Sequence, residues 1–119
     1  AIDRQNMPAC AADERAHTFG EVNQGYDLAT AVVEATRCLE CKNAKCMQGC
    51  PVQVDIPRFV SHLAASDLPG AAEALLADNA LPCVTGRVCP QETQCEALCV
   101  RGVKGRPVAI GNLERFVAD

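Results

Sequence analysis

Large apolar side chains are scarce in this chain, and their scarcity limits what can hold the fold together. Aromatic residues make up 3% of the 119 residues, with no Trp, one Tyr and three Phe. The apolar residues are mostly Ala, Val, Leu and Cys, and a single small domain with small side chains builds a thin core. Something besides apolar packing must therefore supply part of the stability, and the nine cysteines are the obvious source.

Long apolar segments are absent too. No run of about 18 apolar residues occurs, so the sequence predicts no membrane span. The first residues contain no apolar stretch of the kind that a secretory signal peptide carries. We therefore expect a cytoplasmic protein, in which crowded cysteines indicate metal ligands before disulfides.

Positive charge is in the minority, since the formal net charge is −4. Phosphate contacts need clustered Lys and Arg, so nucleic acid is not an expected partner. The stretch Arg101–Arg106 is locally basic, and two interpretations of it stay open. It is either a solvated loop, as short charge runs usually are, or a patch that faces anionic clusters or a docking partner.

Helical patterns dominate, and no segment shows the sustained alternation of apolar and polar residues that a strand requires. Residues 1–26 are predicted to form an irregular N-terminal arm, and residues 27–119 a helical domain. Asp27, Asp55 and Asp67 are the expected N-caps of the first three helices. The predicted fold class is all-α, with cluster loops between short helices. The predicted helices cover 27–39, 55–65, 67–79, 90–100 and 111–118.

Eight of the nine cysteines form two groups whose spacing indicates the chemistry. The first group is C-x2-C-x4-C-x3-C-P, made of Cys38, Cys41, Cys46, Cys50 and Pro51. The second group contains Cys83, Cys89, Pro90, Cys95 and Cys99. The ending C-x3-C-P is that of bacterial ferredoxins, whose fourth cysteine ligates the other cluster. Two Cys-Pro dipeptides at this spacing indicate iron–sulfur clusters.

Structural zinc is the main alternative, because zinc sites also use C-x2-C pairs. Zinc ribbons separate their two pairs by about 15–20 residues, whereas four cysteines fall within 13 residues here. Disulfides are less expected still, since cysteines this crowded would have to pair locally in a protein that is not exported.

The ferredoxin logic suggests that ligands cross between two clusters. The first cluster would take Cys38, Cys41 and Cys46, with Cys99 returning to complete it. The second would take Cys50, Cys89 and Cys95. Its fourth ligand stays open between Cys83 and Glu114, and on chemistry alone a thiolate suits iron better than a carboxylate does.

The motifs resemble those of a known family. They are the run Cys38–Pro51, the segment Gly86–Glu92, Cys95 and Cys99, and the segment Pro107–Phe116. Together they resemble the N-terminal domain of the glutamate synthase small (beta) subunit family, which includes the large subunit of NADH-dependent ferredoxin:NADP oxidoreductase. The N-terminal domain of dihydropyrimidine dehydrogenase is a more distant relative. The resemblance covers about residues 7–119.

This resemblance implies a helical ferredoxin-like domain with two [4Fe–4S] clusters and no catalytic residue of its own. It implies that the ligands of cluster one are Cys38, Cys41, Cys46 and Cys99. It implies that the ligands of cluster two are Cys50, Cys89, Cys95 and Glu114. Glu114 thus replaces Cys83, which we then expect to be a small buried residue, and Cys10 is expected to be a free thiol.

Family members continue into an FAD- and NAD(P)H-binding half, so the resemblance implies an excised domain of a flavin-dependent oxidoreductase. It would relay electrons between that FAD and a redox centre on a larger partner subunit. No G-x-G-x-x-G motif is present, so we expect the chain itself to bind no nucleotide. The alternative is a structural or docking module, in which an iron–sulfur cluster or zinc holds the fold together for subunit assembly.

Overall fold

The computed structural model describes residues 2–119, and every regular element in that range is a helix. The seven α-helices are α1 (Ala12–Arg15), α2 (Leu28–Ala35), α3 (Lys45–Gln48), α4 (Ile56–Ala64), α5 (Leu68–Asp78), α6 (Pro82–Val88) and α7 (Ile110–Ala118). Three 3₁₀ turns span Gln91–Thr93, Glu96–Leu98 and Val100–Gly102. Residues 2–119 contain no strand, only an isolated bridge between Ala9 and Asn23. The all-α prediction is confirmed.

Local capping explains where three of the helices begin. Asp27, Asp55 and Asp67 each accept a hydrogen bond from the backbone amide three residues further on, at 2.8, 3.3 and 3.0 Å. Pro57 and Pro69 lie in the first turns of α4 and α5, where a missing amide hydrogen costs nothing. These starts agree with the sequence prediction.

The core is small and rich in alanine, as the composition predicts. Its largest fully buried side chains include Phe59 and Leu63 of α4, Leu75 of α5 and Leu113 of α7. Alanines of α2 and α5 fill the spaces between them. Four cysteines, which are Cys38, Cys46, Cys50 and Cys99, pack against the edge of this core. The cluster loops are therefore extensions of the core.

The predicted helix over residues 90–100 is wrong. Gln94 (φ −115°, ψ −110°) and Cys99 (φ −67°, ψ 128°) leave the helical region, so the segment breaks into 3₁₀ turns. Helix α6 is not among the predicted helices. Pro82 occupies its first turn, which is a favourable position for proline.

The predicted arm is less irregular than expected. Residues 2–26 contain α1, and two backbone hydrogen bonds of 2.7 Å pair Cys10 with Val22 and Gln24 with Pro8. Ala1, also assigned to the arm, lies outside the described residues. No helix among residues 2–119 is long and apolar enough to cross a membrane.

Candidate iron–sulfur site

The eight predicted ligands line two separate hollows in the protein surface. The first hollow is bordered by four thiols, those of Cys38, Cys41, Cys46 and Cys99. The second hollow is bordered by three thiols and a carboxyl group, those of Cys50, Cys89, Cys95 and Glu114. No residue borders both hollows. The structure thus groups the eight side chains four and four, in the sets that the resemblance implies.

The backbone passes from one hollow to the other at two short helical turns. Cys46 lies within helix α3 and borders the first hollow, whereas Cys50 follows that helix and borders the second. The turn Glu96–Leu98 lies between Cys95, at the second hollow, and Cys99, at the first. Each C-x3-C segment therefore carries the chain from one hollow to the other.

The two turns approach each other closely at Gly49. A Cβ atom on Gly49 would lie 2.5 Å from the carbonyl oxygen of Gln94 and 3.1 Å from the Cα of Cys95. Real Cβ atoms do not come so near to backbone, so only glycine allows this packing. The sequence shows that Gly49 directly precedes Cys50, but it does not show which atom Gly49 approaches. That atom is the carbonyl oxygen of Gln94, beside the turn Glu96–Leu98.

The first hollow has apolar walls, which include Ile56, Val60 and Ile110. Two backbone amides donate hydrogen bonds to its sulfurs, from Glu40 to Cys38 and from Val108 to Cys99, each at 3.5 Å. The amide of Glu40 reaches Cys38 from a left-handed backbone (φ 50°), which is uncommon for a residue with a side chain.

Burial shifts the pKa of two thiols in the first hollow. It raises the pKa of the Cys38 thiol and raises that of Cys46 to about 11, and the charges of neighbouring cysteines add to both effects. At neutral pH the Cys46 thiol therefore keeps its proton until a cation binds. Because metal ligation needs the thiolate, iron binding here must release protons.

The wall of the second hollow contains the polar side chains of Asn79, Thr85 and Gln94. Burial raises the pKa of the Cys89 thiol and raises that of Cys95 to about 12. The charge of Glu114 contributes to both shifts, which reflects how near its carboxyl lies to these two sulfurs.

Hydrogen bonds hold Glu114 in the second hollow. Its Oε1 accepts from the side-chain amide of Asn79 at 3.0 Å and from the hydroxyl of Thr85. Burial raises the pKa of the Glu114 carboxyl, and these two donors partly offset the rise. Thr85 reaches it because α6 packs closely on α7 at Gly86, where a Cβ would lie 2.8 Å from the amide nitrogen of Arg115.

Cys83 and Cys10 border neither hollow. Cys83 is exposed, and its thiol donates to Oδ1 of Asp119 at 3.3 Å. The expectation that it is buried is wrong, because α6 turns this position toward solvent. Cys10 is half-buried, and its sulfur accepts from the side-chain amide of Gln24 at 2.9 Å.

The donor sets fit an iron–sulfur cluster better than a single metal ion. Within residues 2–119, no three His, Cys, Asp or Glu side chains lie close enough to hold one ion. A structural zinc would draw its sulfurs to about 2.3 Å from a common centre. A [4Fe–4S] cluster takes one ligand at each of four irons, so its ligands surround a larger body.

The comparisons with known proteins agree on one kind of iron–sulfur domain. Residues 15–119 match the family model described as dihydropyrimidine dehydrogenase domain II, 4Fe-4S cluster. The NAD-dependent dihydropyrimidine dehydrogenase subunit PreT of Escherichia coli K12 is 40% identical over 99 residues, which cover 83% of this chain and 24% of that protein. The glutamate synthase [NADPH] small chain of Halomonas elongata is 36% identical over 118 residues, covering 99% of this chain and 25% of that protein.

The Escherichia coli K12 glutamate synthase [NADPH] small chain gives a similar result, 35% identity over 118 residues and 25% of its length. The chain therefore spans about a quarter of the length of these curated relatives. The suspected family is thereby confirmed, together with its iron–sulfur chemistry and its oxidoreductase relatives. The chain belongs to the family described as dihydropyrimidine dehydrogenase domain II, 4Fe-4S cluster.

Proposed function

We propose that this chain is an electron-transfer domain that carries two [4Fe–4S] clusters. The ligands of cluster one would be Cys38, Cys41, Cys46 and Cys99, and those of cluster two Cys50, Cys89, Cys95 and Glu114. The observation that carries the proposal is the presence of two separate hollows, each bordered by four suitable donors. The family match supports the chemistry of the cofactor.

Bound [4Fe–4S] clusters would supply one-electron transfer. The thiols of the chain hold the irons, and the apolar wall of the first hollow keeps water away from the sulfurs. The amides of Glu40, Val54 and Val108 donate hydrogen bonds to cysteine sulfurs, each at 3.5 Å. Such bonds, together with solvent exposure, are among the means by which a protein sets a cluster potential.

The two sites differ in one ligand, so an electron relay through both clusters would have two distinct steps. The first is bordered by four thiols, and the second by three thiols and a carboxyl group. A carboxylate in place of a thiolate changes the electron donation to the iron, so the two clusters would have different potentials.

We propose that the partners are an FAD- and NAD(P)H-binding half and a larger catalytic subunit, with electrons passing between the FAD and a redox centre of that subunit. Relatives about four times as long, named as NAD- or NADPH-dependent and as a subunit or small chain, support this. Exposed apolar side chains on α5, on α6 and between these helices offer a surface for such contacts; they are Leu76, Leu81, Val84 and Val88.

A structural or docking module is the second candidate. The packing of four cluster cysteines against the edge of a small core favours it, because a cluster would then hold the fold together. The two candidates differ in whether the clusters change oxidation state reversibly.

An anaerobic redox titration followed by electron paramagnetic resonance tests the difference. Electron transfer predicts two one-electron reductions that reverse without loss of iron. Clusters that resist reduction, or that lose iron when reduced, would favour the structural module.

A further inference from the structure

A buried ion pair lies at the end of α2, directly before the first cysteine of cluster one. Glu34 is 0% exposed and Arg37 is 4% exposed. Nη1 of Arg37 donates to Oε2 of Glu34 at 2.6 Å. Neither residue borders a hollow, and the ligand assignment does not use them. Because burying two charges is costly, the pair calls for an explanation beyond stability.

The pair binds two segments that are distant in the sequence. Oε1 of Glu34 accepts from the amide of Gln5 at 2.6 Å, and its Oε2 accepts from the amide of Ala109 at 3.2 Å. The guanidinium of Arg37 donates to the carbonyls of Arg106 at 2.6 Å and Pro107 at 3.1 Å. Both segments are thus fixed to the end of α2.

The segment Arg106–Ala109 forms part of the first hollow. Its Val108 borders that hollow, and the amide of Val108 donates to the sulfur of Cys99. Residues on either side of Val108 are held by the pair, while Arg37 itself precedes Cys38 in the chain. Two ligands of cluster one therefore take their positions from this ion pair.

An N-terminal strap, defined as residues 2–5, covers the pair. Arg37 Nε donates to the carbonyl of Ile2 at 3.1 Å, in addition to the bond from Gln5 to Glu34. Nη1 of Arg4 donates to Oε1 of Glu96 at 2.6 Å and to the carbonyl of Pro107 at 3.1 Å. The strap lies outside residues 15–119, which the family model matches. It separates the pair from water. Charges interact more strongly in such a region than they do in water.

We propose that Glu34 and Arg37 are positioning residues for cluster one, and that their opposite charges, shielded by the N-terminal strap, shift its reduction potential in opposite directions. This inference rests on the proposed function, since it needs a cluster in the first hollow. A nearby positive charge favours the added electron and a negative charge opposes it. The two charges therefore act on the potential of cluster one in opposite directions, in addition to the positive charges of Lys45 and Arg101, which border the first hollow.

Charge-neutral variants test the proposal through the potential of cluster one in an anaerobic titration followed by electron paramagnetic resonance. Glu34→Gln is expected to raise that potential and Arg37→Gln to lower it. The double variant, Glu34→Gln with Arg37→Gln, is expected to return it close to the wild-type value. The potential of cluster two should move less in each case. Shifts in the same direction, or no shift, would overturn the proposal.

Arg37→Lys serves where a single neutral variant fails to fold, because it keeps the charge balance. Lysine cannot reproduce the donors that hold Arg106 and Pro107. We expect cluster one to lose iron to a chelator several-fold faster, while its potential changes little. Iron loss at the wild-type rate would overturn the positioning role.

Asp27→Ala is the matched control, since it removes the cap at the other end of the same helix. It should lower stability and leave both potentials unchanged; a potential shift equal to that of the pair variants would overturn the inference. Iron and sulfide are measured first on the wild-type protein. Zinc without sulfide would overturn the proposed function and this inference together, whereas normal iron content with unmoved potentials would overturn the inference alone.

Discussion

Glu114 differs from the other seven predicted ligands, because neighbouring side chains donate hydrogen bonds to it. Asn79 and Thr85 orient its carboxyl toward Cys89 and Cys95. Partners that orient a ligand are a usual feature of built metal sites. A carboxyl that served only the fold would not need to be buried beside two thiols.

Replacing Glu114 should therefore affect cluster two alone. We expect Glu114→Ala to leave one iron of cluster two without a protein ligand, so that about one iron in eight becomes labile to a chelator. Electron paramagnetic resonance should show a changed signal for cluster two and an unchanged signal for cluster one.

Thr85→Val is the matched control for this substitution. It removes a hydrogen bond to Glu114 but leaves the carboxyl in place, so iron should stay bound. An unaffected iron content in Glu114→Ala, with both signals unchanged, would show that another residue is the eighth ligand.

Cys83 provides a second test at the residue scale. Its thiol is exposed and borders neither hollow, so we expect Cys83→Ser to bind iron as the wild type does. Cys50→Ser is the comparison variant, and it should lose iron from cluster two. Iron loss in Cys83→Ser equal to that in Cys50→Ser would contradict the ligand assignment.

Sequence motifs could predict the grouping of the cysteines, because ligand spacing is a local property. They could not predict the roles of Thr85 and Asn79, since these residues meet Glu114 only after α6 packs against α7. The exposure of Cys83 was missed for a related reason: it depends on α6, a helix that the sequence did not predict.

At the scale of elements, the close contact between α3 and the turn that follows Gln94 sets the distance between the hollows. Glycine at position 49 allows this contact, because any Cβ there would meet the backbone of Gln94 at 2.5 Å. Backbone cannot move aside as a flexible side chain can. The two turns that carry Cys46, Cys50, Cys95 and Cys99 would have to separate.

Gly49→Ala should therefore destabilise the protein by about 1–3 kcal/mol, the usual cost of overpacking. Gly105→Ala is the matched control, because the nearest atom to a Cβ there is 3.7 Å away. Thermal unfolding of the cluster-loaded protein compares the two. Equal midpoints for Gly49→Ala and Gly105→Ala would contradict the packing described for these turns.

The starts of α4 and α5 were predictable because an aspartate cap and a proline in the first turn act within one turn. The structure of residues 90–100 was not predictable. The helical propensity of this segment competes with the need to direct Cys89, Cys95 and Cys99 toward two hollows. The backbone breaks at Gln94 and Cys99 meet that need. Ligand geometry, rather than propensity, decides the structure here.

For the molecule as a whole, the thin core and the cluster loops depend on each other. Four cluster cysteines pack against the core, and burial keeps the Cys46 and Cys95 thiols protonated when no iron is bound. Metal binding in such proteins is linked to folding.

Removing iron with a chelator under reducing, anaerobic conditions should therefore lower the helical signal in far-ultraviolet circular dichroism and lower the midpoint of thermal unfolding. Helices α4 and α5 should persist longest, since their buried side chains contact one another. An iron-free protein with an unchanged spectrum and midpoint would show that the fold does not need the clusters.

The most direct measurement is the iron and acid-labile sulfide content of anaerobically prepared protein. Two hollows with four ligands each predict about eight iron atoms and about eight sulfide ions per chain. Zinc without sulfide, or iron and sulfide near four per chain, would contradict the presence of two [4Fe–4S] clusters.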